Sequence, residues 1–534
     1  MTRFGLFLVG GLGSATTLYL GFNLHAYSWI WAFLALIPLL ALSENSNSLG
    51  SACGLGLLAG FSFNFVELFW ITNSIAGFTN LPQVLVTIIM GLLALYMALY
   101  LVLFCGLWHY LRNLATLKSP FAGVLSVLAM AATWILLEDL RSAFLGGFPW
   151  HPLGLTQIDN QFFNWLLPWG GVRLLSGLIV IGSTGLYLSA DAILKKRGIN
   201  ALFYLFFTLG PLVGIALSTG GSTANLHRGE PTHVAATQTR VAVIQPNIPQ
   251  KEKWLPENRT KIIEKMISMT RQSLQNKPDL IIWPEAALPL LLEKERALSE
   301  RLQNLVKQEN CSLMLGGPRY FASTPENKSD EIQKRLYNSI FLFTPDQPLQ
   351  IYNKIKLVPY GEFTPLAKFF PFISKIVPGL NYSPGDTIHN FTMKELKIAP
   401  SVCFEGVFPS FTARFFGAGA NILINLTNDA WFGDSPGPRQ HLLNIRLRAM
   451  ENRCYIIRCA NTGISAIINP QGEVEQQLPL NQKGLLTSIV KLNSEATFFS
   501  RHPNLSTIAA AIIALLSLSV TFFCRHPRKE RGIS

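Results

Sequence analysis

Long apolar runs separated by short polar segments fill the chain up to about Thr219, and one more run lies near the carboxyl terminus. Runs of about 17 or more residues with almost no charge are long enough to cross a hydrocarbon layer roughly 30 Å thick. The pattern therefore predicts eight transmembrane helices. They cover Phe4–Leu24, Tyr27–Ser43, Ser51–Trp70, Val84–Leu111, Phe121–Leu137, Leu174–Ala190, Ala201–Thr219 and Leu505–Phe523.

The first run has a second interpretation, because Arg3 precedes it and a cleaved secretory signal peptide begins in the same way. The run is longer than a usual signal core, and another apolar run follows at once. We therefore expect a retained membrane anchor.

Between the seventh and eighth runs the pattern changes to short apolar strands that alternate with helices. Continuous apolar strands with intervening helices predict sheets covered by helices, which is an α/β layered domain. The predicted strands are 240–245, 279–283, 311–315, 337–343, 398–403 and 421–425, and the predicted helices are 258–275, 294–307 and 438–452. The predicted organisation is a membrane domain at 1–219 with seven transmembrane helices, a linker at 220–239, a catalytic domain at 240–495, the eighth helix at 505–523 and a basic tail at 524–534.

Composition agrees with a membrane protein of more than one folding unit. The 534 residues are 49% hydrophobic and only 14% charged, which is unlike an ordinary soluble enzyme.

The net charge of +13 comes largely from basic loops, after the fourth run at Arg112, after the sixth at Lys195, and in the tail. Because basic loops stay on the cytoplasmic side, the 240–495 domain is expected on the opposite, periplasmic side of a bacterial inner membrane. No basic strip interleaved with aromatic residues is present, so nucleic acid is not expected as a partner.

Seven cysteines are scattered along the chain, and none has the spacing of metal ligands. We therefore predict no metal and no cofactor. Cys454 and Cys459 suit either a redox pair or core packing, and core packing is favoured because an apolar strand lies between them. Cys403 differs from these, because it ends a strand and is followed by Phe-Glu-Gly.

Three short motifs carry residues that make a covalent acyl-transfer site if they meet in space. Glu285 ends an apolar strand in Trp-Pro-Glu, where desolvation makes a carboxylate a usable base. Lys354 lies in Tyr-Asn-Lys-Ile-Lys-Leu-Val-Pro-Tyr-Gly-Glu and offers a cation, and Cys403 offers a thiol nucleophile. Taken singly, each residue also fits a structural role: a strand end, a solvated lysine and a buried inert cysteine.

Together with Asn428-Asp-Ala-Trp-Phe-Gly433, these motifs resemble the nitrilase (carbon-nitrogen hydrolase) superfamily. The resemblance implies an α-β-β-α sandwich and a catalytic triad of Glu285, Lys354 and Cys403. It also implies supporting roles for Glu362 and Glu405, which would orient Lys354 and tune the pocket. Phe404 departs from the family, which often has tyrosine at this position.

With the predicted transmembrane helices added, the whole chain resembles membrane-bound N-acyltransferases that act on lipoproteins. The resemblance implies a phospholipid acyl donor, a cysteine thioester and a diacylglyceryl lipoprotein whose amino terminus accepts the acyl chain. We expect a monomer. Further supporting residues are predicted at Asn338, Arg446 and Glu451, although each is also compatible with a purely structural hydrogen bond.

Aromatic residues predict how lipid reaches the thiol. We expect Trp150, Trp254 and Phe372 to line a portal between the bilayer and the site, because exposed apolar patches usually mark a membrane or ligand contact. Simple anchoring at the membrane interface is the alternative.

Two other functions remain open at this point. A membrane-anchored amidase would use the same triad with water as the acceptor. A transporter with an attached binding module would need no triad, but ionisable residues of the kind that mark an ion path are few in the predicted helices.

Overall fold

The computed structural model describes residues 3–525 apart from 24–26, 80, 114–118, 221–237, 323–333, 366, 368, 370–380 and 493–494. Most of the predicted linker, most of the basic tail and Phe372 lie outside the described residues. The first part of the chain is entirely helical. Its helices are α1 Arg3–Asn23, α2 Ser28–Ala35, α3 Ile37–Glu44, α4 Leu49–Glu67, α5 Ile71–Phe78, α6 Gln83–Asn113, α7 Pro120–Ala143, α8 Leu167–Leu194, α9 Gly198–Tyr204 and α10 Gly210–Gly220.

Within the described residues, five helices are long and apolar enough to cross a membrane. They are Phe4–Asn23, Leu49–Glu67, Gln83–Asn113, Pro120–Gly146 and Asn164–Leu194. Shorter apolar helices occupy Ser28–Glu44, Gly198–Gly214 and Leu505–Ser519, where the sequence predicts three further spans. Large apolar side chains such as Val84, Leu92 and Phe206 are exposed on these helices, as expected of surfaces that face lipid.

The second part of the chain forms two six-stranded sheets. Their strand orders are β12-β1-β2-β3-β4-β5 and β11-β10-β9-β8-β7-β6. The strands are β1 Gln238–Gln245, β2 Leu280–Ile282, β3 Ser312–Ala322, β4 Lys334–Phe343, β5 Gln350–Asn353, β6 Phe391–Met393, β7 Leu396–Val402, β8 Ile422–Thr427, β9 Ile456–Ala460, β10 Ser465–Ile468, β11 Val474–Leu478 and β12 Gly484–Lys491.

Helices cover the outer face of each sheet. The covering helices are α12 Arg259–Ser273 and α13 Arg296–Glu309 on the first sheet and α14 Pro409–Gly417 and α15 Gly437–Asn452 on the second. The short helices α11 Gln250–Lys253 and α16 Phe498–Arg501 lie in connecting segments, and α17 Leu505–Arg525, the predicted eighth span, packs on α7. Alternate residues of β1 separate into two cores: Val243 packs between the sheets, and Ile244 packs under α12 and α13. The predicted α-β-β-α sandwich attached to a helical membrane domain is confirmed.

The core between the two sheets does not stop at the edge of the sandwich. The same cluster of buried side chains contains Ile424 of the second sheet, Trp70 after α4, Met90 of α6 and Trp150 of the loop after α7. The membrane part and the sandwich therefore share one hydrophobic core, and the functional site described next lies close to their junction.

Candidate active site

The ends of three strands bring Glu285, Lys354 and Cys403 into one site. Glu285 follows β2, Lys354 follows β5 and Cys403 follows β7. The ammonium of Lys354 lies 3.7 Å from Oε1 of Glu285. The charges of Glu285 and Lys354 both act on the Cys403 thiol.

The turn after β2 fixes the Glu285 carboxylate. It passes so close to β3 that a Cβ on Gly316 would lie 2.7 Å from the Glu285 Cα, so glycine is needed at that position. Asn338 Nδ2 on β4 donates to Glu285 Oε1 at 2.7 Å and to Glu362 Oε1 at 2.9 Å. Burial raises the pKa of Glu285 above its ordinary value, although Lys354 opposes that shift. A carboxylate with a raised pKa is suited to act as a general base.

Lys354 is buried between two carboxylates. Its ammonium contacts Glu362 at 2.9 Å (Oε1) and 2.8 Å (Oε2). Burial alone would lower the pKa of Lys354, but the charges of Glu362 and Glu285 outweigh it and hold the pKa above its ordinary value. Lys354 is therefore a fixed cation at neutral pH, able to stabilise negative charge near the thiol.

Cys403 has a left-handed backbone with φ of 49°, which is rare for a residue other than glycine and is a mark of functional sites. The strained turn is held through its carbonyl oxygen, which accepts from Asn425 Nδ2 at 3.1 Å and lies 3.2 Å from His441 Nε2. Cys403 as a whole is partly exposed, and it lies at the start of a short 3-10 helix. Desolvation and the neighbouring Glu285 carboxylate raise the pKa of the Cys403 thiol, so the thiol needs a base at neutral pH.

Glu405 fastens the nucleophile turn to the segment that carries Lys354. Its Oε1 accepts from the amides of Ile355 and Lys356 and from the Tyr352 hydroxyl, all within 3.1 Å. Its Oε2 accepts from the amide of Val402 at 2.8 Å. Burial raises the pKa of Glu405 to about 7. Glu405 therefore holds the cation and the nucleophile in register.

A second charged network, which the sequence did not indicate, lies behind the nucleophile. Asp429 Oδ2 accepts from Arg458 at 2.6 Å, and Asp429 Oδ1 lies 3.1 Å from Nδ1 of His441. Asp429 belongs to the Asn-Asp-Ala-Trp-Phe-Gly motif, so the sequence drew attention to this residue, but it did not indicate that Arg458 and His441 are its partners. Candidate ligand atoms of Cys403, Asp429 and His441 lie within 4.8 Å of one another. The guanidinium of Arg458 already neutralises Asp429, which favours a hydrogen-bonded support over a cation site.

The predicted supporting residues fall into two groups. Asn338, Glu362 and Glu405 contact the triad as described above. Arg446 does not, because its guanidinium donates to the Gly472 carbonyl and to Asp159.

Glu451 also lies away from the thiol. It pairs with Arg448 at 2.7 Å and accepts from the amide of Val172 at 2.8 Å. Its contacts thus fasten α15 to the membrane helix α8. Arg446 and Glu451 do not pair with each other, since the arginine beside Glu451 is Arg448, and a supporting role for Arg446 and Glu451 stays a prediction.

The three predicted portal residues also differ from one another. Trp254 is 44% exposed and directly follows α11. Trp150 is only 2% exposed, because Phe148 and Trp70 pack on its ring and its Nε1 donates to Gln440. Trp150 therefore lies in the core at the junction of the membrane part and the sandwich, and not on an open surface. Phe372 is outside the described residues, although nearby Phe369 is 77% exposed.

Chemically, the arrangement offers a thiol, a carboxylate base and a buried cation in one site. Such a set can form a covalent acyl intermediate and stabilise the oxyanions on either side of it. Phe148 of the membrane part lies 6.3 Å from the ring of Phe404, next to the nucleophile. The acyl chemistry is therefore placed against residues of the membrane part.

Two family descriptions match the chain. Residues 14–185 match the "Apolipoprotein N-acyltransferase N-terminal domain", and residues 240–498 match "Carbon-nitrogen hydrolase". The chain is 30% identical over 493 residues to the apolipoprotein N-acyltransferase of Geobacter metallireducens, covering 91% of this chain and 90% of that protein. It is 32% identical to the protein of the same name from Azotobacter vinelandii, covering 86% of this chain and 84% of that protein.

Solved structures of the carbon-nitrogen hydrolase type are more distant. An amidase from Nesterenkonia sp. AN1 is 17% identical, with a TM-score of 0.36 over 50% of this chain and 98% of that one. A carbon-nitrogen hydrolase from Helicobacter pylori is 16% identical, with a TM-score of 0.36 over 55% of this chain and 97% of that one.

Proposed function

This chain belongs to the apolipoprotein N-acyltransferase family, and on that premise we propose that Cys403 carries a fatty acyl group from a phospholipid to the amino terminus of a diacylglyceryl lipoprotein. The enzyme is an N-acyltransferase, and its substrates are a lipid and a lipoprotein.

In the first half of the reaction Glu285 takes the proton from the Cys403 thiol. The thiolate attacks the carbonyl carbon of the phospholipid ester, and Lys354 stabilises the resulting oxyanion. The ester bond then breaks, and the leaving alcohol takes the proton back from Glu285. The products are a lysophospholipid and an acyl thioester on Cys403.

In the second half the lipoprotein's α-amine attacks the thioester carbonyl, and Glu285 accepts a proton from the attacking nitrogen. Lys354 again faces the oxyanion. Collapse of this intermediate breaks the carbon–sulfur bond, forms the amide and returns the proton to Cys403. The enzyme is then ready for another phospholipid, so the mechanism is ping-pong.

The observation that carries this proposal is the meeting of a carboxylate, a cation and a thiol beside the membrane part of the same chain. Glu285 and Lys354 act on Cys403, and Phe148 lies against Phe404. A soluble acyl donor could reach the thiol from water. A donor in the bilayer instead requires a site that borders the membrane part.

An amidase of the same superfamily would use the triad with water as the acceptor. The match of residues 14–185 to the N-terminal domain of the acyltransferases favours transfer to an amine. The alternative of a non-enzymatic transporter with an attached binding module is wrong, because the relatives that match most of the chain are enzymes.

We further propose the setting of the reaction. The five long apolar helices indicate a membrane protein, and the basic loops favour a periplasmic position for the 238–491 sandwich. Acyl chains approach past Trp254 and the exposed Phe369, over the buried Trp150. Every side chain of the proposed triad comes from one chain, so a monomer suffices.

The decisive experiment is intact mass spectrometry of the full-length protein after incubation with phospholipid vesicles alone. The wild-type chain should gain one fatty acyl group, and Cys403→Ala should gain none. Cys311→Ala is the matched control, because Cys311 is a buried thiol beneath the first sheet and its loss should leave acylation intact. Addition of a diacylated lipopeptide should remove the acyl group and increase the mass of the peptide.

Two results would overturn the proposal. An acyl adduct that persists in Cys403→Ala would show that another residue carries the acyl group, either as a thioester on a different cysteine or through a different bond. Discharge by water as fast as by lipopeptide would support the amidase instead.

A further inference from the structure

Lys253 is a buried cation on an otherwise exposed segment. It ends the four-residue helix α11 and is 0% exposed, whereas Lys251 and Trp254 on either side are exposed. Its ammonium donates to the main-chain carbonyl of Glu285 at 3.2 Å. Lysine is almost never fully buried without a partner, so this position calls for an explanation.

The segment that carries Lys253 is fastened to the second sheet. The amide of Ile248 donates to the Asn461 side chain at 3.0 Å, and Gln250 Oε1 accepts from Asn428 at 2.8 Å. Asn428 directly precedes Asp429 of the network behind the thiol. These contacts with Asn461 and Asn428 therefore hold the Lys253 ammonium against the main chain of Glu285, the proposed base.

Among the groups whose charges act on Glu285, positive and negative charges balance only if Lys253 is counted. Lys354 and Lys253 supply two positive charges, and Glu285 and Glu362 supply two negative ones. Transfer of the Cys403 proton to Glu285 moves one negative charge from the carboxylate to sulfur and leaves the net charge of this cluster unchanged. The other groups that face the cluster are Tyr382, Asn338, Asp429 and Glu405. Asp429 is neutralised by Arg458, and the Glu405 carboxylate accepts from three main-chain amides.

Without Lys253 the cluster would carry one unbalanced negative charge inside the protein. Burying an unpaired charge is costly, and proteins usually avoid it by binding a proton. One cation does not balance two carboxylates, because Lys354 is in contact with both Glu285 and Glu362. Glu285 therefore stays ionised only while a second cation lies beside it.

We propose that Lys253 is a positioning residue for the base: its charge keeps Glu285 ionised, and so able to take the Cys403 proton, at neutral pH. This inference rests on the proposed roles of Glu285 and Cys403. It adds a residue that acts through Glu285 and does not touch the substrate.

The direction of the effect follows from the charges. Burial lowers the pKa of Lys253 to about 8, although Glu285 opposes that shift. Below that pH the ammonium is charged and favours the Glu285 carboxylate; removing it raises the pKa of Glu285. The acid limb of the pH–rate profile, which reports formation of the carboxylate, must then move to higher pH.

The test compares full-length wild type with Lys253→Met, Lys253→Gln and Lys253→Arg. Two rates are followed against pH: acyl-adduct formation from vesicles of phosphatidylethanolamine and phosphatidylglycerol, and alkylation of Cys403 by iodoacetamide. The neutral variants should shift the acid limb upward by about one pH unit, the scale expected for a nearby charge at an effective dielectric constant near 20. Lys253→Arg should return it towards the wild-type position.

Lys251→Met is the matched control, since it removes an exposed charge from the same helix and should leave the profile unchanged. Equal slowing at every pH without a shift, or the same shift in Lys251→Met or Lys253→Arg, would overturn the inference. If wild type formed no acyl adduct, the proposed function would fail, while the alkylation profile would still decide the role of Lys253.

Discussion

At the scale of single residues, a buried ion pair between Asp429 and Arg458 lies behind the Cys403 thiol. Burial alone would raise the pKa of Asp429, but Arg458 and His441 outweigh it and hold the pKa below its ordinary value. Desolvation and Arg458 lower the pKa of His441 below its ordinary value. One ring nitrogen of His441, Nε2, lies 3.2 Å from the Cys403 carbonyl oxygen, and the other, Nδ1, lies 3.1 Å from both Asp429 Oδ1 and the Arg458 guanidinium.

We predict that Arg458→Met destabilises the protein at neutral pH by about 3 to 5 kcal/mol, because it leaves the Asp429 carboxylate buried without its partner. In wild type the depressed pKa of Asp429 contributes stability above the unfolded value of about 3.9, and this is lost as pH falls through the folded pKa. In the variant the folded pKa is raised instead, so stability is lost as pH rises. The gap between the two proteins should be widest near neutral pH and narrow towards acid.

His441 acts in the same direction, since loss of Arg458 also raises the pKa of the imidazole, and its protonation at lower pH would pair Asp429 again. Unfolding midpoints in denaturant between about pH 4 and 7 measure the effect. Arg414→Met, at an exposed arginine of α14, should change stability by less than about 0.5 kcal/mol. A gap that stays constant with pH would contradict the charge assignment.

The site was only partly predictable from sequence. Glu285, Lys354 and Cys403 stand in recognisable motifs, and Glu362 and Glu405 lie in the same segments, whereas Asn338 lies apart from them on β4. His441 and Arg458 were missed, because they come from a helix and a strand far along the chain and are common residue types in such elements. Their role depends on burial and pairing, which no local pattern records.

At the scale of elements, α15 joins the membrane part to the nucleophile. Gln440 on this helix accepts from the indole nitrogens of Trp70 at 2.8 Å and Trp150 at 2.9 Å. Its Nε2 donates to the Glu67 carboxylate at 2.9 Å. The next residue, His441, holds the Cys403 carbonyl. One turn of α15 therefore contacts both the end of α4 and the catalytic turn.

We predict that Gln440→Ala lowers both stability and the rate of acyl loading. It leaves two buried indole N–H groups without their partner, at about 1 to 3 kcal/mol for each unsatisfied group. It also removes one hydrogen bond from the Glu67 carboxylate, which keeps its bond from Asn23. His441 should also lose its fixed position, so loading of Cys403 should slow in the molecules that remain folded. The measurements are the unfolding midpoint and the rate of acyl-adduct formation per folded molecule.

Arg439→Ala is the control, because Arg439 is the exposed neighbour on the same helix and should affect neither quantity. If Gln440→Ala lost stability but loaded acyl groups at the wild-type rate, the contacts would hold the two parts together without positioning the nucleophile.

Long buried elements were predictable, whereas edge strands and short strands such as the buried four-residue β10 were not. Continuous apolar runs predicted β1, β2 and β8 to within about two residues, a usual uncertainty for element ends. β11 (Val474–Leu478) escaped prediction because its three central residues are exposed, and β6 because it has only three residues. Short or solvent-facing strands form by pairing with a neighbour, and their own sequence carries little signal.

At the scale of the whole molecule, the side of the membrane on which the sandwich lies is a prediction from loop charges. We expect Lys307→Cys in a Cys403→Ala background to react with a membrane-impermeant maleimide in intact cells with a permeabilised outer membrane. Lys307 is exposed on α13, and Lys195, exposed after α8, is the matched site on the expected cytoplasmic side. Lys195→Cys should react only after lysis.

Labelling of Lys195→Cys before lysis, with Lys307→Cys protected, would reverse the proposed orientation. The membrane character itself was predictable, because about 20 apolar residues in succession have few other uses. The shared core at the junction was not, since Trp70 and Trp150 look like ordinary interfacial aromatics in the sequence.

The pairing of β1 with β12 has a consequence for how such a protein can be rebuilt. Gln238, where the sandwich begins, lies opposite Lys491, where its last strand ends, and paired strands are roughly 5 Å apart. The sandwich thus begins and ends at neighbouring positions of one strand pair. A different sandwich joined at these two positions would keep the spacing of its ends, but it would have to rebuild the core that this one shares with the helices.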